Sequence, residues 1–312
     1  MWIVLIAVAL VLVAVALLLT FYAYRITFYA APRKGDEDEY LIPNDEQYRK
    51  DAEKLRQCIS NLDHMEYEPV QICSHDGKIL FARYFHVQDG APLQIQFHGY
   101  RGSALRDLCG GTPLALKLGH NALLVDQRGH GRSEGNTITF GVLERQDCLQ
   151  WIRYAQDRFG TEIPIVLVGV SMGAATVLMA SELALPTAVK AVVADCPYSA
   201  PTDIIAKVAE GMGLPGKPAA AVCSIGGAVY GHFRLGSCSA VEAVRKTKLP
   251  VLLLHGEDDR FVPCEMSRKI YEACGSVKRL ETFPNAAHAM CYMEDPVRYE
   301  TVVTDFLQSH LA

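Results

Sequence analysis

The stretch Ile165-Val166-Leu167-Val168-Gly169-Val170-Ser171-Met172-Gly173-Ala174-Ala175-Thr176-Val177-Leu178 reads as a buried strand, a sharp turn and the start of a helix. An uninterrupted apolar run is what a strand covered on both faces looks like. Glycines at positions 169 and 173 let the chain reverse tightly and lift the intervening serine to the strand end. A serine hydroxyl is a poor nucleophile unless it is exposed, held and deprotonated in place, and such a turn supplies the first two conditions. The helix that follows aims its N-terminus at the same spot, where negative charge is favoured. An isolated Gly-x-Ser-x-Gly would be read as a helix-capping serine. With a strand before it and a helix after it, Ser171 is the candidate nucleophile.

On either side of this element, short β-rich runs alternate with helical stretches from Glu68 onward, the pattern of a mostly parallel sheet with helices on both faces. Strands are expected at Val70–Cys73, Ile79–His86, Leu93–Phe97, Ala122–Asp126, Ile165–Val170, Ala191–Asp195, Val251–His255 and Arg279–Phe283, making an eight-stranded α/β sheet. Asp76-Gly77 joins the first two as a hairpin, so the sheet is expected to begin antiparallel. Helices are expected at Ala104–Leu118, Val142–Phe159, Met172–Leu185, Cys264–Ala273 and Pro296–Leu311. Residues 198–248 hold no strand-like run but do hold Gly and Pro clusters and short apolar helical pieces, and they read as a small helical lid over the strand ends.

The acyl-transfer chemistry that Ser171 suggests needs two backbone N–H donors at the oxyanion, one from the residue after the nucleophile and one from the loop after the third strand. Those positions are Met172 and, in His98-Gly99-Tyr100-Arg101-Gly102, Tyr100. His98 itself reads as a loop histidine bonded to backbone. The base must be a histidine lying after the acid in chain order. His288 fits, in the loop Pro284-Asn285-Ala286-Ala287-His288-Ala289 after the last strand. The acid is expected at the end of the strand Val251-Leu252-Leu253-Leu254-His255, where Glu257, Asp258 and Asp259 follow and any of the three could orient the imidazole.

These motifs resemble α/β-hydrolases of the esterase and serine-aminopeptidase-like type, particularly bacterial single-pass members with an N-terminal hydrophobic helix. The resemblance runs through His98-Gly99, Asp126-Gln127-Arg128-Gly129-His130-Gly131-Arg132-Ser133, Gly169 to Gly173, His255 to Pro263 and His288. In that family the acid is the last carboxylate of a His-Gly-x-x-Asp-x-x-Val-Pro run, which implies Asp259 and a Ser171, Asp259, His288 triad. Asp195, after the sixth strand, is the runner-up acid. The resemblance also implies that Asp126–Ser133 is a structural turn, anchored by Arg128 and Arg132. A dinucleotide fingerprint fails there, because Glu134 stands where the third glycine should be.

The expected activity is therefore hydrolysis of an acyl bond in a small-molecule substrate, with no cofactor and no metal. Ile204, Ile205, Val208, Met212 and Leu214 in the lid suggest an apolar acyl or alcohol group and so a carboxylic ester. An amide-cleaving peptidase is the alternative, with Asp203 or Glu210 available to bind a terminal amine. A membrane-tethered binding protein that lost turnover is a third reading. Net charge is −5 without any dense basic stretch, so nucleic acid is not an expected partner.

Met1 to about Tyr22 carries no charge and is long enough to span a bilayer. It lacks the basic n-region of a cleaved signal peptide, so it reads as a single-pass membrane anchor. Residues 1–24 are thus assigned to the anchor, 25–43 to a solvated linker and 44–312 to the hydrolase domain. Asn44 is expected to cap a helix reaching Leu62, with a stripe of Tyr48, Ala52, Leu55, Ile59 and Leu62. Arg25, Arg33 and Lys34 follow the apolar run, which places the domain on the cytoplasmic side. Ten cysteines without a compact framework agree with a reducing compartment.

Overall fold

A computed structural model describes residues 1–31, 40, 42 and 46–311. Among them eight strands form one sheet: β1 (Glu68–Cys73), β2 (Ile79–Phe85), β3 (Leu93–Phe97), β4 (Asn121–Asp126), β5 (Ile165–Val170), β6 (Val189–Asp195), β7 (Val251–Gly256) and β8 (Lys278–Phe283). Their order is β1-β2-β4-β3-β5-β6-β7-β8. The β1–β2 and β2–β4 pairs are antiparallel and the others parallel. All eight expected strands are present, with ends moved by two residues or fewer. The hairpin at Asp76-Gly77 closes with Gly77 at φ 83°, a conformation glycine adopts without strain.

The helices are α1 (Trp2–Thr27), α2 (Glu46–Arg49), α3 (Ala52–Asp63), α4 (Ala104–Leu108), α5 (Gly111–Lys117), α6 (Glu144–Phe159), α7 (Met172–Ala180), α8 (Pro201–Gly211), α9 (Gly216–Tyr230), α10 (Ala240–Lys246), α11 (Cys264–Ala273), α12 (Cys291–Glu294) and α13 (Pro296–Leu311). Strand β5, at the middle of the order, is buried throughout, as its unbroken apolar run requires. One face of the sheet is covered by α6, α7, α10 and α11, whose buried side chains form a single cluster with Leu123, Leu167 and Leu253. Helix α13 and the Leu114 side of α5 cover the other face through Val166, Val193, Leu252 and Phe306.

Several expected boundaries are corrected. The helix expected at Ala104–Leu118 is two helices, parted at Cys109-Gly110, where a Cβ on Gly110 would lie 2.4 Å from the Tyr292 ring. The helix expected up to Leu62 is likewise interrupted between Arg49 and Ala52, while its Asn44 cap lies outside the described residues. Its stripe does pack inward, with Leu55, Ile59 and Leu62 buried.

The largest change concerns the linker. Residues 25–27 complete α1, and Phe28 is wholly buried between Phe140 and Phe233, at ring centroid distances of 5.8 and 5.1 Å. Tyr24 Oη shares a 2.8 Å hydrogen bond with Thr137 Oγ1. Aromatic burial of this kind outweighs the freedom of a linker, so the C-terminal end of α1 is part of the domain. Linker residues 32–39, 41 and 43 lie outside the described residues. Helix α1 is long and apolar enough to cross a membrane.

Candidate active site

Five strands deliver the site from their carboxyl ends, where ligands gather in such sheets. Ser171 follows β5 with φ 56° and ψ −114°, a backbone conformation that a non-glycine residue holds only when its surroundings enforce it. The flanking glycines show why the turn closes. A Cβ at Gly169 would collide with the Gly173 carbonyl, and one at Gly173 with the carbonyl of Phe97 in β3. The turn therefore packs backbone against backbone, and the Ser171 amide is tied to Asp195 O at 2.8 Å.

The sequence-expected residues meet at this turn. His288 Nε2 lies 2.8 Å from Ser171 Oγ, and His288 Nδ1 lies 2.6 Å from Asp259 Oδ2. The other carboxylate oxygen of Asp259 accepts from the amides of Phe261 (2.9 Å) and Val262 (2.8 Å). His255, buried beneath, bonds Ser267 Oγ and the Val262 carbonyl and lies 3.3 Å from Asp259 Oδ2. Burial pushes the Asp259 carboxyl up, but the charges and hydrogen bonds of His288 and His255 outweigh it and hold the group well below the usual carboxylate range. Burial pushes His288 down, and the facing Asp259 carboxylate more than offsets it, so the imidazole ends above its ordinary value.

Of the three acids that follow β7, Asp259 alone touches the imidazole. Glu257 instead accepts from Thr282 Oγ1 at 2.6 Å, on the exposed side. Asp195 is placed differently again. It is fully buried, one carboxylate oxygen has no hydrogen-bond partner, and burial raises it to about 6. Both ring nitrogens of His288 are taken by Asp259 and Ser171, so Asp195 makes no hydrogen bond to the imidazole.

Met172 follows Ser171 in the chain, and Tyr100 lines the same cavity as Ser171. The Met172 amide opens α7 and so belongs to the helical N–H groups without an intrahelical acceptor. The loop after β3 comes close because of Gly99, whose missing Cβ would sit 3.2 Å from that of Ser171. Asp107 accepts from the Gly99 amide at 2.7 Å and from Arg106 Nε at 2.6 Å, fixing the loop. His98 is buried, bonded to the Gly99 carbonyl and the Gln127 amide, and burial holds its basicity down. It supports the loop, as expected. Arg128 anchors the Asp126–Ser133 turn through Asp147 (2.6 Å) and Asp76 (3.1 Å). Arg132 instead lays its guanidinium over the Phe81 ring.

Ser171 and His288 open into a cavity of about 360 Å³ whose apolar walls are Tyr48, Leu55, Phe261 and Met290. This overturns the expectation that the lid lines the site. Ile204 and Ile205 are buried in the domain core, while Met212 and Leu214 are exposed. Asp203 accepts from Ser199 Oγ at 2.6 Å and lines a separate surface depression, and neither it nor Glu210 lines the cavity beside Ser171. The walls come from α2, α3 and the loops after β7 and β8. Tyr48 and Leu55 carried the sequence signal of a packing stripe, and nothing local marked Asp107 at all.

Cys196, Asp259 and His288 present donor atoms within 4.8 Å of one another, as do His75, Asp76 and Asp147. Neither set suits a cation. Both ring nitrogens of His288 are engaged, burial pushes the Cys196 thiol far up, and Asp76 and Asp147 are taken by Arg128.

The family model for the alpha/beta hydrolase fold matches residues 95–221, and that for serine aminopeptidase, S33, matches residues 228–295. Among curated proteins, YqkD of Bacillus subtilis is 28% identical over 197 residues, covering 63% of this chain and 65% of that protein. Protein bem46 of Schizosaccharomyces pombe is 26% identical over 251 residues, covering 78% of this chain and 77% of its own. Among solved structures, an esterase of Pyrococcus furiosus superposes with a TM-score of 0.67 at 21% identity, covering 92% of this chain and 99% of the other. Est1E of Butyrivibrio proteoclasticus, solved with ferulic acid bound, gives 0.60 at 22% identity over 78% of this chain and 99% of its own. With the sheet order and the turn after β5, these matches lead to one conclusion: the chain has the α/β-hydrolase fold.

Proposed function

We propose that this protein is a serine hydrolase that cleaves carboxylic esters through Ser171, His288 and Asp259. The observation that carries the reading is the unbroken hydrogen-bonded series from Asp259 Oδ2 to His288 (2.6 Å) to Ser171 Oγ (2.8 Å) beside an open cavity. Ser171 Oγ attacks the acyl carbonyl and its proton passes to His288 Nε2. The developing oxyanion is held by the amides of Met172 and Tyr100. The leaving alcohol departs with the proton from His288, and water activated by the same imidazole then releases the acid from the acyl-enzyme. Asp259 keeps the imidazole oriented and stabilises its charged form. No step in this cycle calls for a cofactor.

Apolar walls at Tyr48, Leu55, Phe261 and Met290 favour an ester with an apolar acyl or alcohol group. Peptidase action is the second reading, favoured by the match of residues 228–295 to the serine aminopeptidase model. It needs an acidic side chain for a terminal ammonium, and the carboxylate lining the cavity, Asp107, is already bonded to Arg106 and Gly99. A panel of acyl esters of graded chain length, run beside aminoacyl amides, tests the choice. Ester turnover that disappears in Ser171→Ala supports the proposal, and faster amide than ester cleavage contradicts it.

Helix α1 is read as a single-pass membrane anchor, with the domain on the cytoplasmic side by the rule that basic residues such as Arg25 stay inside. Digestion of the domain by protease added to unlysed cells would contradict that side.

A further inference from the structure

Helix α9 turns Ala221, Ile225, Ala228 and Val229 outward, at the spacing of one helical stripe. Ile225 is 53% and Val229 46% exposed. No charged residue occurs between Pro218 and Gly231. The outward face of a helix on a water-bathed domain ordinarily carries the charged residues, so this stripe calls for an apolar partner.

The opposite face of α9 shows which partner lies nearby. Cys223 Sγ lies 3.5 Å from Thr27 Oγ1, and the Tyr230 hydroxyl donates to the Leu17 carbonyl at 2.9 Å. Between them, Gly226 lets the two backbones approach, since a Cβ there would sit 2.5 Å from the Thr20 carbonyl. The helices therefore run antiparallel, with the C-terminal end of α9 beside the middle of α1. The Phe21 ring meets the Tyr230 ring edge-on at 5.2 Å and joins the exposed surfaces of the two helices.

Helix rise then constrains depth. The part of α1 that clears the domain, Trp2 to Ala16, rises about 22 Å. The hydrocarbon core is roughly 30 Å thick, and any tilt shortens the reach further. A spanning α1 must therefore draw Leu17 to about Phe21 to membrane depth, and α9 is fastened at Leu17 and Thr20 along that length. We propose that the C-terminal half of α9 lies in the bilayer beside α1, with lipid covering the Ile225 and Val229 stripe, so that the hydrolase domain is seated on the membrane. The inference rests on the reading of α1 as a membrane anchor. Its effect on the site is direct. The carbonyls of Thr27 and Ile26 accept from Tyr100 Oη and Arg101 Nη2, both at 2.8 Å, and Tyr100 and Arg101 line the catalytic cavity.

Tryptophan quenching by brominated phosphatidylcholine in vesicles carrying the full-length protein tests this. The wild type reports the anchor through Trp2, because Trp151 is fully buried and shielded from lipid. Ile225→Trp in a Trp2→Phe background reports α9, Val229→Trp serves if the first variant fails to fold, and Val297→Trp on α13 is the water-exposed control. The α9 indole is expected to be quenched as Trp2 is, while the control is unaffected. Quenching of Trp2 without quenching at α9 overturns the seat and leaves the anchor intact. Absence of quenching at Trp2 as well removes the anchor reading and the proposal with it.

Discussion

The turn after β5 and the dock between α1 and α9 both place backbone against backbone through a glycine, yet they sit at opposite ends of what a sequence reveals. At the turn, Gly169, Ser171 and Gly173 lie within five consecutive positions, and their residue types dictate the geometry almost alone. At the dock, Thr27 meets Cys223 and Leu17 meets Tyr230, contacts spanning about two-thirds of the chain. The nucleophile turn is marked locally, whereas its partners His288 and Asp259, the seating and the cavity shape are settled by distant segments. The proposed chemistry should accordingly fail sharply to changes at the strand ends and only gradually to changes in the walls.

The largest effect is expected at the turn. Ser171→Ala should lower kcat by about a million-fold while circular dichroism remains that of the folded chain. Substantial turnover in the folded variant would break the comparison at its strong end. Next, Asp259→Asn should cost about ten-thousand-fold, and Asp195→Asn far less, because Asp195 makes no hydrogen bond to His288. The opposite ranking in kcat would move the orienting acid to β6.

His288 also sets a pH dependence. As the proposed base it would act only when neutral, and Asp259 holds it above the ordinary 6.5. The value of kcat/KM should therefore rise with pH through an inflection above that figure, and in Asp259→Asn the inflection should move down because the carboxylate that raises it is gone. An upward move, measured across the profile, would contradict the pairing.

The eight strands were legible because apolar or alternating runs bounded by turn residues need no partner to be recognised. Ser171 and His288 were legible because the turn and the chain order mark them, while the choice of Asp259 needed a family resemblance. Elsewhere tertiary packing overrode local signals. Gly226-Gly227 reads as a break, yet α9 runs straight through it, since Gly226 is where the α1 backbone must approach. Tyr48 and Leu55 read as ordinary packing positions, and only the folded chain brings them to the cavity.

Smaller effects separate the walls from the lid. Phe261, whose ring lies 5.2 Å from that of His288, should when changed to Ala raise KM for apolar acyl esters about tenfold with little change in kcat. Leu214→Ser, at an exposed position away from the cavity, should shift rates on a water-soluble ester by no more than about twofold. A larger response at Leu214 than at Phe261 would return the substrate wall to the lid.

The most direct test of the central claim is peptide mass spectrometry of the full-length protein after reaction with a fluorophosphonate. The account predicts a single phosphonyl adduct on Ser171, formed at a rate that collapses in His288→Ala. An adduct on another residue, or an unmodified Ser171 in active protein, would contradict it.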